Sequence, residues 1–100
     1  MSYELQTGAG ATEAVIDDNC SMSKFYAIAD KMTEDLRIKF ENQTDNADSL
    51  YWDFRYKGQD LTLRYDMFNG VSICPQEEKS SPKKNNVIRS IAFFLEHSAF

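Results

Sequence analysis

Apolar and polar residues alternate through residues 51–75, YWDFRYKGQDLTLRYDMFNGVSICP, and this run reads as sheet. Trp52, Phe54 and Tyr56 share one face of a strand, and Leu61, Leu63, Tyr65 and Met67 share one face of the next. The intervening turn must keep both sets on one side, because a one-residue slip would turn one set to water. A two-residue loop at Gly58-Gln59, with glycine first as a type II′ turn prefers, does so. It sets Lys57 opposite Asp60, Tyr56 opposite Leu61, Phe54 opposite Leu63 and Trp52 opposite Tyr65. On the other face it sets Asp53 against Arg64 and Arg55 against Thr62. At the second turn, a two-residue Asn69-Gly70 loop would turn Val71 and Ile73 away from Leu63 and Tyr65. A three-residue loop, Phe68-Asn69-Gly70, instead pairs Met67 with Val71 and Tyr65 with Ile73. Gly70 then takes the left-handed position, and Phe68 stands at the tip.

Two segments follow the helical period. Met22, Phe25, Ala29, Met32 and Leu36 form one stripe with Ile28 at its edge, and Asp18, Ser21 and Ser23 are all available as N-caps. Val87, Ile88, Ile91, Phe94 and Leu95 form a second stripe over 86–98, with Asn85 or Asn86 as its cap and Phe100 available to dock. YELQT, residues 3–7, alternates weakly as a short strand, and GAG at 8–10 is a turn. Residues 11–16, ATEAVI, suit a paired strand or a helical turn equally. RIKFEN, 37–42, is a half-buried strand with Ile38 and Phe40 inward; QTDNADS, 43–49, and residues 75–86 read as loops.

The expected architecture is a single α+β domain over residues 1–100. It is a two-layer sandwich, a mainly antiparallel sheet of four or five strands with two helices on one face, in the order β(β)αβββα. The helices cover Trp52, Phe54, Tyr56, Leu61, Leu63, Tyr65, Val71 and Ile73. Arg37, Lys39, Arg55, Lys57, Arg64, Asp53 and Asp66 remain on the open face, where solvated charge pairs are the default.

Charge narrows the function. The net charge of −5 argues against general nucleic-acid binding. Acid is concentrated in residues 1–20 (Glu4, Glu13, Asp17, Asp18) and 41–53 (Glu41, Asp45, Asp48, Asp53), neither of which holds a Lys or Arg. The N-terminus has no basic residue and no apolar core, so no secretory signal is expected, and no apolar run is long enough to span a membrane. A cytoplasmic protein with reduced Cys20 and Cys74 follows.

No constellation of converging catalytic groups stands out, so the chain is not read as an enzyme. His97 suits a helix's last turn, Ser21 and Ser23 suit caps, and GAG lacks the spacing of a phosphate loop. One His and two Cys are too few for a zinc site, and the carboxylate pairs Asp17-Asp18 and Glu77-Glu78 are adjacent and point apart, so neither metal nor cofactor is expected.

A binding module remains. The acidic segments Glu13–Asp18 and Glu41–Asp53 flank the first helix in sequence and are expected to meet at one end of the sandwich. The candidate partner-binding residues are Glu13, Asp17, Asp18, Asp45 and Asp48, with Tyr51 and Phe68 as aromatic anchors. In size, acidity and mixed layout the chain resembles small acidic immunity proteins of the bacterial contact-dependent or polymorphic toxin type. That resemblance implies a cytoplasmic inhibitor of a basic toxin, for example a nuclease. The stretch WDFRYKGQDLTLRYDMFNGVSICP is also similar to small uncharacterised bacterial domains. The alternative is a structural or regulatory domain acting as a homodimer through the open sheet or an edge strand.

Overall fold

A computed structural model describes residues 3–6, 12–76 and 81–98. Among them are six strands and two helices: β1 (Tyr3–Gln6), β2 (Thr12–Asp17), α1 (Met22–Leu36), β3 (Phe40–Asp45), β4 (Ser49–Tyr56), β5 (Gln59–Asp66), β6 (Gly70–Pro75) and α2 (Pro82–Glu96). The strands form one antiparallel sheet in the order β1-β2-β6-β5-β4-β3. A β3–β6 meander is thus joined through β6 to an N-terminal hairpin. The α+β class stands, but four strands rather than three separate the helices, and the sheet has six strands rather than four or five. Residues 12–17 resolve as strand because Ala14 and Ile16 reach the core while the backbone pairs on both sides.

Both helices lie on one face of the sheet, α2 over β2 and β6 and α1 over β5. Phe25, Ile28, Ala29 and Met32 of α1 and Val87, Ile88, Ile91 and Leu95 of α2 pack onto Phe54, Leu61, Leu63, Tyr65, Val71 and Ile73. Trp52 and Tyr56 border this core rather than filling it, whereas Leu50, 1% exposed, lies inside. Phe25 meets Trp52 edge-on at 5.0 Å, and Trp52 meets Phe40 at 5.4 Å, an arrangement favoured by the ring quadrupoles.

Both hairpins keep the expected faces but slide by two residues. The first turn is Lys57-Gly58, with φ of 51° and 78°, a type I′ turn that pairs Tyr56 with Gln59, Phe54 with Leu61 and Trp52 with Leu63. The second pairs Asp66 with Gly70, Tyr65 with Val71 and Leu63 with Ile73, so Met67 leaves the core face and stands 58% exposed. The Asp66 carboxylate decides this turn. It accepts from the Phe68 amide at 2.8 Å, the Asn69 amide at 2.7 Å and Asn69 Nδ2 at 3.0 Å. On the outer face the expected partners exchange: Asp53 accepts from Thr62 Oγ1 at 2.6 Å, and Arg55 pairs with Asp60 at 3.3 Å. A two-residue slide preserves side-chain parity, so the core survived while the cross-strand partners changed.

Other boundaries also move. α1 closes at Arg37 in a left-handed conformation (φ 55°), where the Arg37 and Ile38 amides donate to the Met32 carbonyl. Arg37 and Lys39 therefore precede the sheet instead of lying on it. The strand expected at 37–42 runs from Phe40 to Asp45, so Gln43–Asp45 are strand and not loop. α2 starts at Pro82, earlier than the stripe implied, because Ser81 caps it by accepting from the Lys84 amide at 3.0 Å. Asn85 is no cap; its Oδ1 accepts from the Thr12 amide at 3.3 Å and ties α2 to β2. α1 is preceded by Ser21, whose hydroxyl bonds Ser23 at 2.7 Å rather than a backbone amide. The expected GAG turn, residues 77–80 and Phe100 lie outside the described residues.

Gly70 (φ 74°) abuts the end of β2, where β2 and β6 change register. A Cβ on Gly70 would sit 1.9 Å from the Asp17 carbonyl oxygen, whereas one on Gly58 would meet nothing within 4 Å. Gly70→Ala is therefore expected to lower unfolding free energy by more than about 3 kcal/mol, and Gly58→Ala by about 1–2 kcal/mol from backbone strain alone. Urea denaturation of the two variants checks the difference.

Candidate functional site

β2, β3 and β5 end, and β4 and β6 begin, at the same end of the sheet. Two backbone approaches lock the turns together there. The Met67 amide donates to the Asp48 carbonyl at 3.1 Å, and Gly70 lies against Asp17. The two acidic segments, far apart in sequence, consequently flank the β5–β6 turn: Asp17 and Asp18 on one side, Asp48 and Asp45 on the other. Met67 and Phe68 project between them, and Phe68 is 80% exposed, the most exposed of the described large hydrophobic side chains. Only the ends of the two segments, Asp17–Asp18 and Asp45–Asp48, reach this end of the sheet, on either side of the β5–β6 turn.

The individual acids differ in what they already hold. Asp17 pairs with Lys24 at 3.5 Å and accepts from the Asn19 amide at 3.0 Å. Asp18 accepts from the Tyr3 hydroxyl at 3.0 Å. Asp45 accepts from Trp52 Nε1 at 2.8 Å, which fixes the indole at the core's border. Burial alone would push the Asp66 carboxyl up, but hydrogen bonds from Asn69 and Phe68 and the charge of Arg64 hold it below its ordinary value. Asp66 thus stays ionised beneath the tip.

Glu13 does not belong to this rim. It lies within β2 on the outer face and forms an ion pair with Arg64. Register explains the reach. Arg64 is opposite Ser72 on β6, and Ser72 is opposite Val15 on β2, so the small serine lets the guanidinium cross a strand to Glu13. Tyr51 lies in the same transverse row, opposite Arg64 and Thr44, and is exposed. Val15 and Ser72 are buried on this face although no helix covers it.

At the β1 end of the row is a cleft of about 420 Å³. Tyr3, Leu5, Val15 and Phe68 supply its apolar walls, and Glu13, Asp18 and Arg64 its charges. Sequence reasoning missed Tyr3, Leu5 and Arg64. The alternation of YELQT held the signal for the first two, but nothing in it says which strand β1 joins. A smaller cleft of about 270 Å³ lies on the helix side, where Arg89 of α2 meets Glu4 of β1 at 2.6 Å.

A family model described as a protein of unknown function, DUF3630, matches residues 3–94, from the start of β1 to the last turn of α2. The chain belongs to the DUF3630 family. No curated protein and no solved structure matches it.

The remaining reactive groups of this DUF3630 chain make local contacts. His97 closes α2, with Nδ1 2.9 Å from the Phe93 carbonyl and its ring 4.3 Å from that of Phe93. Cys20 Sγ donates to the Asp17 carbonyl at 3.6 Å, and burial pushes its thiol up. Cys74 lies on the outer face opposite Thr62, and burial pushes its thiol up to about 11. No group of three or more metal-ligating side chains occurs among the described residues. No helix among them is long and apolar enough to cross a membrane.

At pH 8 the Cys74 thiolate is roughly 100-fold scarcer than at an ordinary thiol, so a disulfide reagent is expected to label it at least about tenfold more slowly than in urea. The folded state holds this proton more tightly than the unfolded chain. Its contribution to stability is therefore complete below about pH 9 and declines as pH rises toward about 11. Cys74→Ala is expected to show a shallower loss of the urea midpoint between pH 8 and 10.5 than wild type.

Proposed function

We propose that this protein is a protein-binding inhibitor of the immunity type, which neutralises a basic toxin, for example a nuclease, through its acidic rim. The observation that supports this reading is Phe68, exposed at the tip of a turn and flanked by Asp17 and Asp18 on one side and Asp48 on the other. Burying a phenylalanine side chain yields about 1.5–3 kcal/mol, and a few buried anchor residues carry most of an interface's energy. Carboxylates around such an anchor steer a basic surface toward it and accelerate docking. Asp66 holds the turn through three hydrogen bonds, two from the backbone amides of Phe68 and Asn69 and one from the Asn69 side chain, so little loop freedom remains to be lost on binding. Tyr51 extends the contact along the outer face, and Asp45 serves the rim mainly by positioning Trp52. The reading is non-catalytic and requires no cofactor.

The test is capture from the native lysate on immobilised wild-type protein and on the Asp17→Lys/Asp48→Lys variant. A basic protein is expected to be retained at low salt, released as salt rises, and held at least about tenfold more weakly by the variant. Co-expression with this chain is then expected to rescue cells from the captured protein. Equal retention by both forms would sink the rim as the binding surface. A salt-resistant dimer on size-exclusion chromatography, with nothing captured, would favour the homodimer reading instead.

A further inference from the structure

The cleft beside Phe68 carries its own chemical preference. At about 420 Å³ it sits near the small end of the roughly 300–1,000 Å³ typical of ligand pockets. That suits one long side chain better than an element of folded structure. Its charged lining is two carboxylates, Glu13 and Asp18, against one guanidinium, Arg64. Glu13 and Arg64 satisfy each other, so Asp18 sets the sign of what remains. The Tyr3 phenol donates to Asp18, and that hydrogen bond, with the charges of Asp18 and Glu13, holds it above its ordinary value.

The walls agree with the charge. Tyr3 and Phe68 are both exposed and both line the cleft. Aromatic faces attract cations, and a planar guanidinium both stacks on rings and matches a carboxylate through paired N–H groups. An anion would have to displace Glu13 from Arg64 and then sit beside Asp18. A neutral side chain would desolvate the Asp18 carboxylate with only the Tyr3 hydroxyl to offset the cost.

We propose that the cleft receives an arginine side chain of the partner protein, its guanidinium against the rings of Tyr3 and Phe68 and paired with Asp18. This specifies the partner residue for the binding surface proposed above and rests on that reading. The cleft can nevertheless be tested alone. N-acetyl-arginine methylamide is titrated into the full chain and followed by amide NMR. Saturable shifts are expected at Glu13, Arg64, Phe68 and Asn69 with a dissociation constant in about the millimolar range. The uncharged N-acetyl-citrulline methylamide is expected to cause none. Asp18→Asn and Tyr3→Leu are each expected to weaken arginine binding at least about fivefold while the remaining amide shifts stay in place. No saturation by about 50 mM arginine amide, or equal shifts from citrulline, would overturn the proposal. Arginine binding at the cleft with unchanged capture by Asp17→Lys/Asp48→Lys would remove the rim and leave the cleft. Charge-sensitive capture that Asp18→Asn and Tyr3→Leu leave unaltered would remove the cleft and leave the rim.

Discussion

The antiparallel pairing of β2 with β6, closed by Gly70 against the Asp17 carbonyl, is the contact on which the other features depend. It joins an N-terminal hairpin to a four-stranded meander that is otherwise continuous in sequence. Without it, Ala14 and Ile16 have no place beside Val71 and Ile73, and α2 loses the strand it chiefly covers. The approach is close enough to exclude any side chain at position 70, and the left-handed backbone there excludes one independently. One glycine therefore satisfies both the turn and the interstrand contact.

That same pairing builds the acidic rim. Carboxylates that approach one another repel, and a small protein is more stable with them dispersed. Here Asp17, Asp18, Asp45, Asp48 and Asp66 gather at one end of the sheet, and several are individually compensated. Lys24 faces Asp17, Tyr3 bonds Asp18, the indole of Trp52 bonds Asp45, and backbone amides bond Asp66. The arrangement keeps the charges while giving them structural partners. The outer sheet face follows a related logic, since Arg64 and Glu13 bridge across Ser72 and shield it together with Val15 in place of a covering helix.

The two hairpins mark where sequence reasoning carries and where it stops. Alternation placed Phe54, Leu61, Leu63, Tyr65, Val71 and Ile73 on one buried side, and they lie there. The partners across each turn differ from expectation by two residues, because hydrophobic alternation has a period of two and cannot distinguish such a slide. Local polar chemistry made the choice. Lys57 accepted a left-handed conformation beside Gly58, and Asp66 captured the amides of Phe68 and Asn69. Asp66 shows why the signal is readable only in retrospect: Asp-x-Phe-Asn-Gly is a turn former, but it competes with the burial of Met67, and only the packed sheet shows that Met67 loses.

The sequence by itself determined the class of fold, the inward faces of both helices and of the central strands, and the exposure of Phe68. These follow from periodicity and parity, which are local properties of the chain. The tertiary structure alone decided that β2 joins β6, that Arg64 reaches Glu13 across a strand, and that Tyr3 arrives beside Asp18. Such contacts connect residues as much as 59 apart, as Ala14 and Ile73 are, through a hydrogen-bonded ladder whose order no local pattern encodes. The candidate site draws on both: its charges were visible as two acidic segments, and its shape arises only where non-consecutive strands meet.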